Sequence, residues 1–271
     1  MQIIKRLTQA ILMVVLCTNS VAAQSAGTAS SDKVKLTLTT GVDYSSGDYG
    51  QTIDTHILYM PVITKIKYDR WTAKLTIPYL SITGPGVVIG GEDGSDSGTP
   101  GAKTTESGLG DVAASLGYTF PIIDDHTKLS LTGKIKFPTA DEDRNLGTGQ
   151  FDYTAQAGIN HDIGDAFVSA SVARKFNGSS ARFMLNDVWK YSVGAGYSFT
   201  KSTTAGVTYD FREASGAGDN IREAGAYLAY KIAQDWTVQI YAMSGFTDAS
   251  PDLGGGLQLS HQFEPFAFLA E

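Results

Sequence analysis

After its opening residues the chain has no apolar run near the ~20 residues that a membrane-spanning helix requires. It has one cysteine, Cys17, so no intrachain disulfide framework can be built. It has no cluster of basic residues, and 21 Lys and Arg stand against 28 Asp and Glu, for a formal net charge of −7. An acidic chain without a basic patch offers nucleic acid no electrostatic footprint, so nucleic acid is not expected as a partner. No phosphate-binding glycine loop, paired metal-ligand motif or cofactor signature is found, so no cofactor is expected. The histidines are few: His56, His126, His161 and His261. His261 directly follows Ser260, and neighbours on a strand point to opposite faces, so the two do not make a nucleophile–base pair. No enzyme activity is expected.

What is present points elsewhere. Lys5 and Arg6, an apolar stretch over Ile11–Leu16 and the small residues Val21-Ala22-Ala23 read as a cleaved export signal over 1–23. Cleavage would remove Cys17, Lys5 and Arg6, leaving 21 − 2 = 19 basic residues against 28 acidic ones, a net charge of 19 − 28 = −9. Residues 24–32 are small and polar and read as a flexible leader. Over the whole chain, 30 glycines and 13 tyrosines suit strands and turns better than helices.

The chain is organised around residues 127–161. Leu129, Leu131, Gly133, Ile135 and Phe137 alternate with Lys128, Ser130, Thr132, Lys134 and Lys136. After a charged loop, Phe151, Tyr153, Ala155, Ala157 and Ile159 alternate with Asp152, Thr154, Gln156, Gly158 and Asn160. Each segment therefore has one apolar and one polar face. The pattern persists for the ~9–11 residues that a tilted strand needs to cross a bilayer, longer than the usual ~5–6 of a soluble sheet. Twelve such segments run from Lys33 to Phe263, at about 33–44, 52–68, 71–82, 108–120, 127–137, 151–161, 166–176, 188–199, 203–212, 221–232, 236–246 and 253–263. Only 166–176 has ambiguous parity.

Connections alternate in length. Short turns fall near 69–70, 121–126, 163–165, 200–202 and 233–235, and mostly longer ones at 84–106, 139–149, 177–187 and 214–219. Short turns at one end and long loops at the other are the arrangement of outer-membrane barrels. Aromatics gather at both ends: Tyr68, Trp71, Phe120, Phe199, Tyr230, Trp236 and Phe263 by the short turns, and Tyr44, Tyr79, Phe137, Phe151, Trp189, Tyr209 and Phe211 by the long loops. Amphipathic rings favour the headgroup level, so these read as two girdles. The expected fold is all-β: a transmembrane antiparallel up-and-down β-barrel of about 12 strands over 33–263, with 264–271 as a C-terminal extension.

The stretches SSGDYG (45–50), LTIPYLSITGPG (75–86), ESGLGDVAASLGYTF (106–120), KIKFPTADEDRNLGTGQFDY (134–153) and FTDASPDLGGGLQLSHQF (246–263) resemble one family. It is the outer-membrane β-barrel transporter family grouped under the MetA pathway of phenol degradation. Gly-Leu-Gly-Asp and Lys-Phe-Pro-Thr are its most specific motifs here. The resemblance implies a Gram-negative outer-membrane barrel with a channel or solute-uptake role. The sequence departs from the family at Ala140, where Gly is expected, and in running eight residues past Phe263.

Charged residues on the polar faces are the candidate lumen lining: Lys65, Lys67, Lys74, Asp111, Lys128, Lys134, Lys136, Asp152, Lys190, Asp210, Arg212 and Glu223. They either neutralise one another and plug a narrow barrel, or form a basic wall facing an acidic one that steers charged solutes. Asp141, Asp143, Asn145 and Asp152 have calcium-loop spacing, but Leu146 stands where the sharp turn wants Gly, so no metal site is expected. The expected function is passive uptake of small solutes, aromatic compounds among them. The competing readings are a structural or adhesion barrel acting through 84–106, and an outer-membrane lipid-modifying enzyme. The expected partners are outer-membrane lipid and lipopolysaccharide, the barrel assembly machinery and a small-molecule solute.

Overall fold

The computed structural model describes residues 34–49, 51–85, 103–121, 126–216 and 218–263. The export signal, the leader, the C-terminal extension and most of the 84–106 loop lie outside the described residues. Thirteen strand segments are present: β1 Lys35–Gly47, β2 Thr55–Tyr68, β3 Trp71–Gly84, β4 Thr104–Leu109, β5 Val112–Pro121, β6 Thr127–Phe137, β7 Asp152–Ile163, β8 Ala166–Phe176, β9 Val188–Ser198, β10 Thr203–Arg212, β11 Ile221–Ala233, β12 Trp236–Gly245 and β13 Leu253–Gln262.

Sequence neighbours pair antiparallel except β4 and β5, and β1 pairs with β13, so the sheet closes. β4 and β5 both pair with β3 and form one stave of a twelve-stave barrel. They are separated by a bulge at Gly110-Asp111, where the Gly110 amide donates to the Pro78 carbonyl at 2.9 Å. Two residues of one strand there oppose one of its neighbour, which bends the stave. The fourth strand therefore starts at Thr104 rather than near 108. Pro61 has no N–H to give, and the β1–β2 ladder lapses beside it, between the Thr40–Val62 and Asp43–Tyr59 pairs.

Closure follows from the period of two. Register carries one parity around the whole ring, so that Leu116, Val193, Val207 and Leu257 all face out, 47–57% exposed, while their neighbours face the bore. A closed sheet leaves no unpaired edge in lipid. The short turns are tight: Tyr68 pairs with Trp71 across Asp69-Arg70, Ile163 with Ala166 across Gly164-Asp165, and Ala233 with Trp236 across Gln234-Asp235. Gly164 takes φ +64°, where a side chain would be strained.

The aromatics read as girdles all lie on the outward parity. Trp71 stacks edge-on with Tyr118, and Tyr197 with Phe199, at one rim; Phe137 meets Phe151 at the other. His261 belongs to the first rim, its ring 4.4 Å from that of Trp236 and 4.6 Å from that of Phe263. Strand β8 resolves its parity with Ala166, Val168, Ala170 and Val172 outward. Its alternation was unreadable because an apolar ring, Phe167, faces the bore and a cation, Arg174, faces out. Arg174 lies over the Trp189 ring at 5.2 Å and sits between Asp187 and Glu213.

Candidate functional site

All twelve candidate residues lie on the inward parity of their strands, but they do not converge on one point. Register sorts them by depth. Near the mouth bounded by the long loops, Lys136 bonds Asp111 at 2.9 Å and Asp152 at 2.8 Å. Lys175, which sequence reasoning missed because β8 had no legible parity, reaches Asp152 at 3.2 Å. Lys136, Asp152 and Lys175 are each at most 2% exposed. Buried charge is tolerated only when paired and hydrogen-bonded, and these four groups supply one another. A second group lies at the same end on the adjoining strands β9–β11: Asp210 pairs in register with Glu223, and Arg212 with Lys190.

The ion cluster also fastens a loop. The Asp111 carboxylate accepts from the Ala140 amide at 2.9 Å, and the Lys136 ammonium donates to the Thr148 hydroxyl at 3.1 Å. Thr139 closes the same joint, its hydroxyl donating to the Gly110 carbonyl and accepting from the Val112 amide. The two most distinctive motifs, Gly-Leu-Gly-Asp and Lys-Phe-Pro-Thr, are thus the two halves of one structural joint. Held there, residues 138–151 fold into the mouth. Leu146, 1% exposed, sits among Tyr49, Ile57, Tyr59, Leu80, Ile82 and Ala140. Ile57 and Tyr59 are inward residues of β2, and Leu80 and Ile82 of β3, so the loop reaches across the opening to the staves beyond β5.

The calcium-loop residues do not converge. Asp141 caps the Asp143 and Arg144 amides, Arg182 contacts Asp143 at 3.4 Å and Asn145 at 3.0 Å, and Asp152 is committed to two lysines. Among the described residues no group of three metal-ligating side chains is gathered.

Deeper in the bore the character changes. Lys65 faces Lys74 in register, and Lys35 faces Lys67. Lys134 follows on β6, and Lys128 sits at the other mouth, paired with Asp162 at 3.0 Å. Strands β2, β3, β5 and β6 contain no Asp or Glu at all. On the facing wall β8, β9, β12 and β13 also lack carboxylates, but Asp43, buried on β1 beside β13, places one acid at this depth. The wall also carries rings. Tyr227 and Tyr241 are register partners on β11 and β12, each lying over a glycine of the strand beyond. A methyl group added at Gly206 would come 2.6 Å from Tyr227 Cζ, and one at Gly256 would come 2.8 Å from Tyr241 Cε1. Phe167 likewise covers Gly196. The Tyr241 hydroxyl donates to Asp43 on β1.

Over residues 22–263 the sequence matches the family described as "Putative MetA-pathway of phenol degradation". The chain belongs to this family. No curated protein matches it. Among solved structures, the COG4313 outer-membrane channel from Pseudomonas putida F1 is similar at TM-score 0.66 and 12% identity, covering 89% of this chain and all of that one. The NanC porin is similar at TM-score 0.56 and 11% identity, covering 84% and 99%, and the KdgM porin at 0.55 and 8%, covering 84% and 99%. These neighbours share the closed antiparallel barrel, and each is an outer-membrane channel or porin by its own description.

Proposed function

We propose that this chain is an outer-membrane channel for passive uptake of small solutes, aromatic compounds among them. The observation that carries the reading is the sorting of side chains: apolar residues cover the outside of a closed sheet, while a continuous inward row of lysines runs through strands that hold no carboxylate. Like charges directly opposite one another on paired strands are destabilising. Lys65 and Lys74 therefore do not serve the sheet's own stability, and a row of cations lining water suits conduction. The export signal over 1–23, insertion by the barrel assembly machinery and residence among outer-membrane lipid and lipopolysaccharide belong to the same reading. So does the absence of covalent chemistry: Ser260 bonds Thr39 inside the barrel, while His261 stacks outside it.

The test is single-channel recording with the mature chain in planar bilayers. Stepwise, steady ion current is the expected result. A barrel that inserts, shows heat-dependent gel mobility and passes no current removes the channel reading. That result would favour a structural or adhesion barrel sealed by the infolded 138–151 loop.

A further inference from the structure

Halfway down the bore, two kinds of surface face each other. Strands β6 and β12 are six staves apart in the ring of twelve, so Lys134 and Tyr241 stand on opposite walls. Both lie between the short-turn rim and the outer ion cluster. Tyr227 and Tyr241 lean away from one another, one onto Gly206 and the other onto Gly256. A ring that lies over a glycine takes the space that a side chain there would fill. Across from these rings, Lys65, Lys74 and Lys134 stand on strands without a single acid, while on the near wall the Asp43 carboxylate accepts from the Tyr241 hydroxyl and shares the space over Gly256.

From this juxtaposition we infer that the bore is a binding passage for small aromatic carboxylates. The planar ring stacks against Tyr227 and Tyr241 while the carboxylate takes a charge-assisted hydrogen bond from the lysine wall. Each half has its own physical basis: offset stacking favours a flat π-system over a saturated ring of equal size, and a carboxylate adds the attraction of opposite charges to the hydrogen bond it takes from an ammonium. A neutral aromatic satisfies only one wall, and an aliphatic acid only the other. This inference rests on the channel reading and names its solute class.

The experiment uses the mature chain in planar bilayers bathed in KCl, with sodium benzoate, sodium cyclohexanecarboxylate or phenol added. Benzoate is expected to block the chloride current at about fivefold lower concentration than the other two, the order of one aromatic contact. Lys134→Gln is expected to weaken both carboxylates alike. Tyr227→Leu is expected to erase the difference between benzoate and cyclohexanecarboxylate, each read relative to that variant's own chloride current. Heat-modified gel mobility checks that each variant has closed, and the wild-type comparison of the three solutes decides the matter without any variant. Current that benzoate, cyclohexanecarboxylate and phenol affect equally overturns the inference and leaves the channel standing. Absence of any current overturns the channel, and the inference with it.

Discussion

Lys136 holds two carboxylates at once, Asp111 on the bulge and Asp152 at the start of β7, and it is 2% exposed. Its removal would strand both acids in a site with little water. Breaking a buried pair by deleting one partner typically costs about 3–5 kcal/mol, far more than losing a surface pair. Lys136→Met is therefore expected to lower the midpoint of heat-induced barrel opening on gels sharply, whereas Arg144→Met, which loses only the exposed contact to Glu106, is expected to leave it nearly unchanged. A Lys136→Met barrel as heat-resistant as the parent would show that the cluster contributes no stability. That Lys136 faces the bore was legible from its parity alone. Its buried partnership was not, because Asp111 and Lys175 come from other strands whose register no local pattern reveals. The same blindness hid the rings: Tyr227 sits on the polar parity of β11 and reads as an exception until Gly206 is seen beneath it.

At the scale of elements, the joint between the bulge and the 138–151 loop decides the shape of the mouth. The hairpin β6–β7 was readable from its alternation, and its connection was readable as a charged loop. Its inward fold was not, since Leu146 finds its pocket on β2 and β3, about eighty residues earlier in the chain. In sequence Leu146 looked only like a residue that spoils a calcium loop. In the barrel it is the apolar anchor of a loop otherwise held by polar contacts. Replacing a buried leucine by a small side chain costs about 2–5 kcal/mol, comparable to everything that loop docking can draw on. Leu146→Ser is expected to raise mean single-channel conductance and its open-state noise without lowering heat resistance. Unchanged conductance in a correctly folded Leu146→Ser barrel would mean that the loop does not restrict the path. The fourth stave teaches the companion lesson. Gly-Leu-Gly-Asp reads as the start of the fourth strand, but its second glycine serves a bulge inside the stave, and the pairing with β3 continues beyond it to Thr104.

For the molecule as a whole, the alternation carried nearly all of the architecture, because a closed barrel in lipid uses the same rule on every strand. The outward belt makes a direct demand: a charge at its middle must be held in hydrocarbon. Val207, 57% exposed and midway along β10, is such a position. Val207→Arg is expected to cost about 2–4 kcal/mol of insertion free energy and to reduce the folded fraction in lipid vesicles, while Thr208→Arg, facing the bore, is expected to be milder. Net charge, in contrast, misleads at this scale. The chain is acidic, yet most of its acids gather in loops and near the two mouths, and in the deeper bore the lysines of β2, β3 and β6 outnumber Asp43. Ions inside respond to the nearest charges, since the Debye length is about 10 Å at 0.1 M salt. The bore is therefore expected to select anions although the protein is anionic. Lys65→Glu with Lys74→Glu is expected to shift the zero-current potential in a KCl gradient toward cation preference, most strongly at low salt. Lys201→Glu, in an exposed short turn outside the bore, is expected to leave it unmoved. Lys136, which parity alone would have nominated for such a swap, is the wrong choice, because its reversal would break the ion cluster before any selectivity could be read. If the double reversal at Lys65 and Lys74 leaves the zero-current potential where it was in a conducting barrel, ions do not pass along the lysine wall.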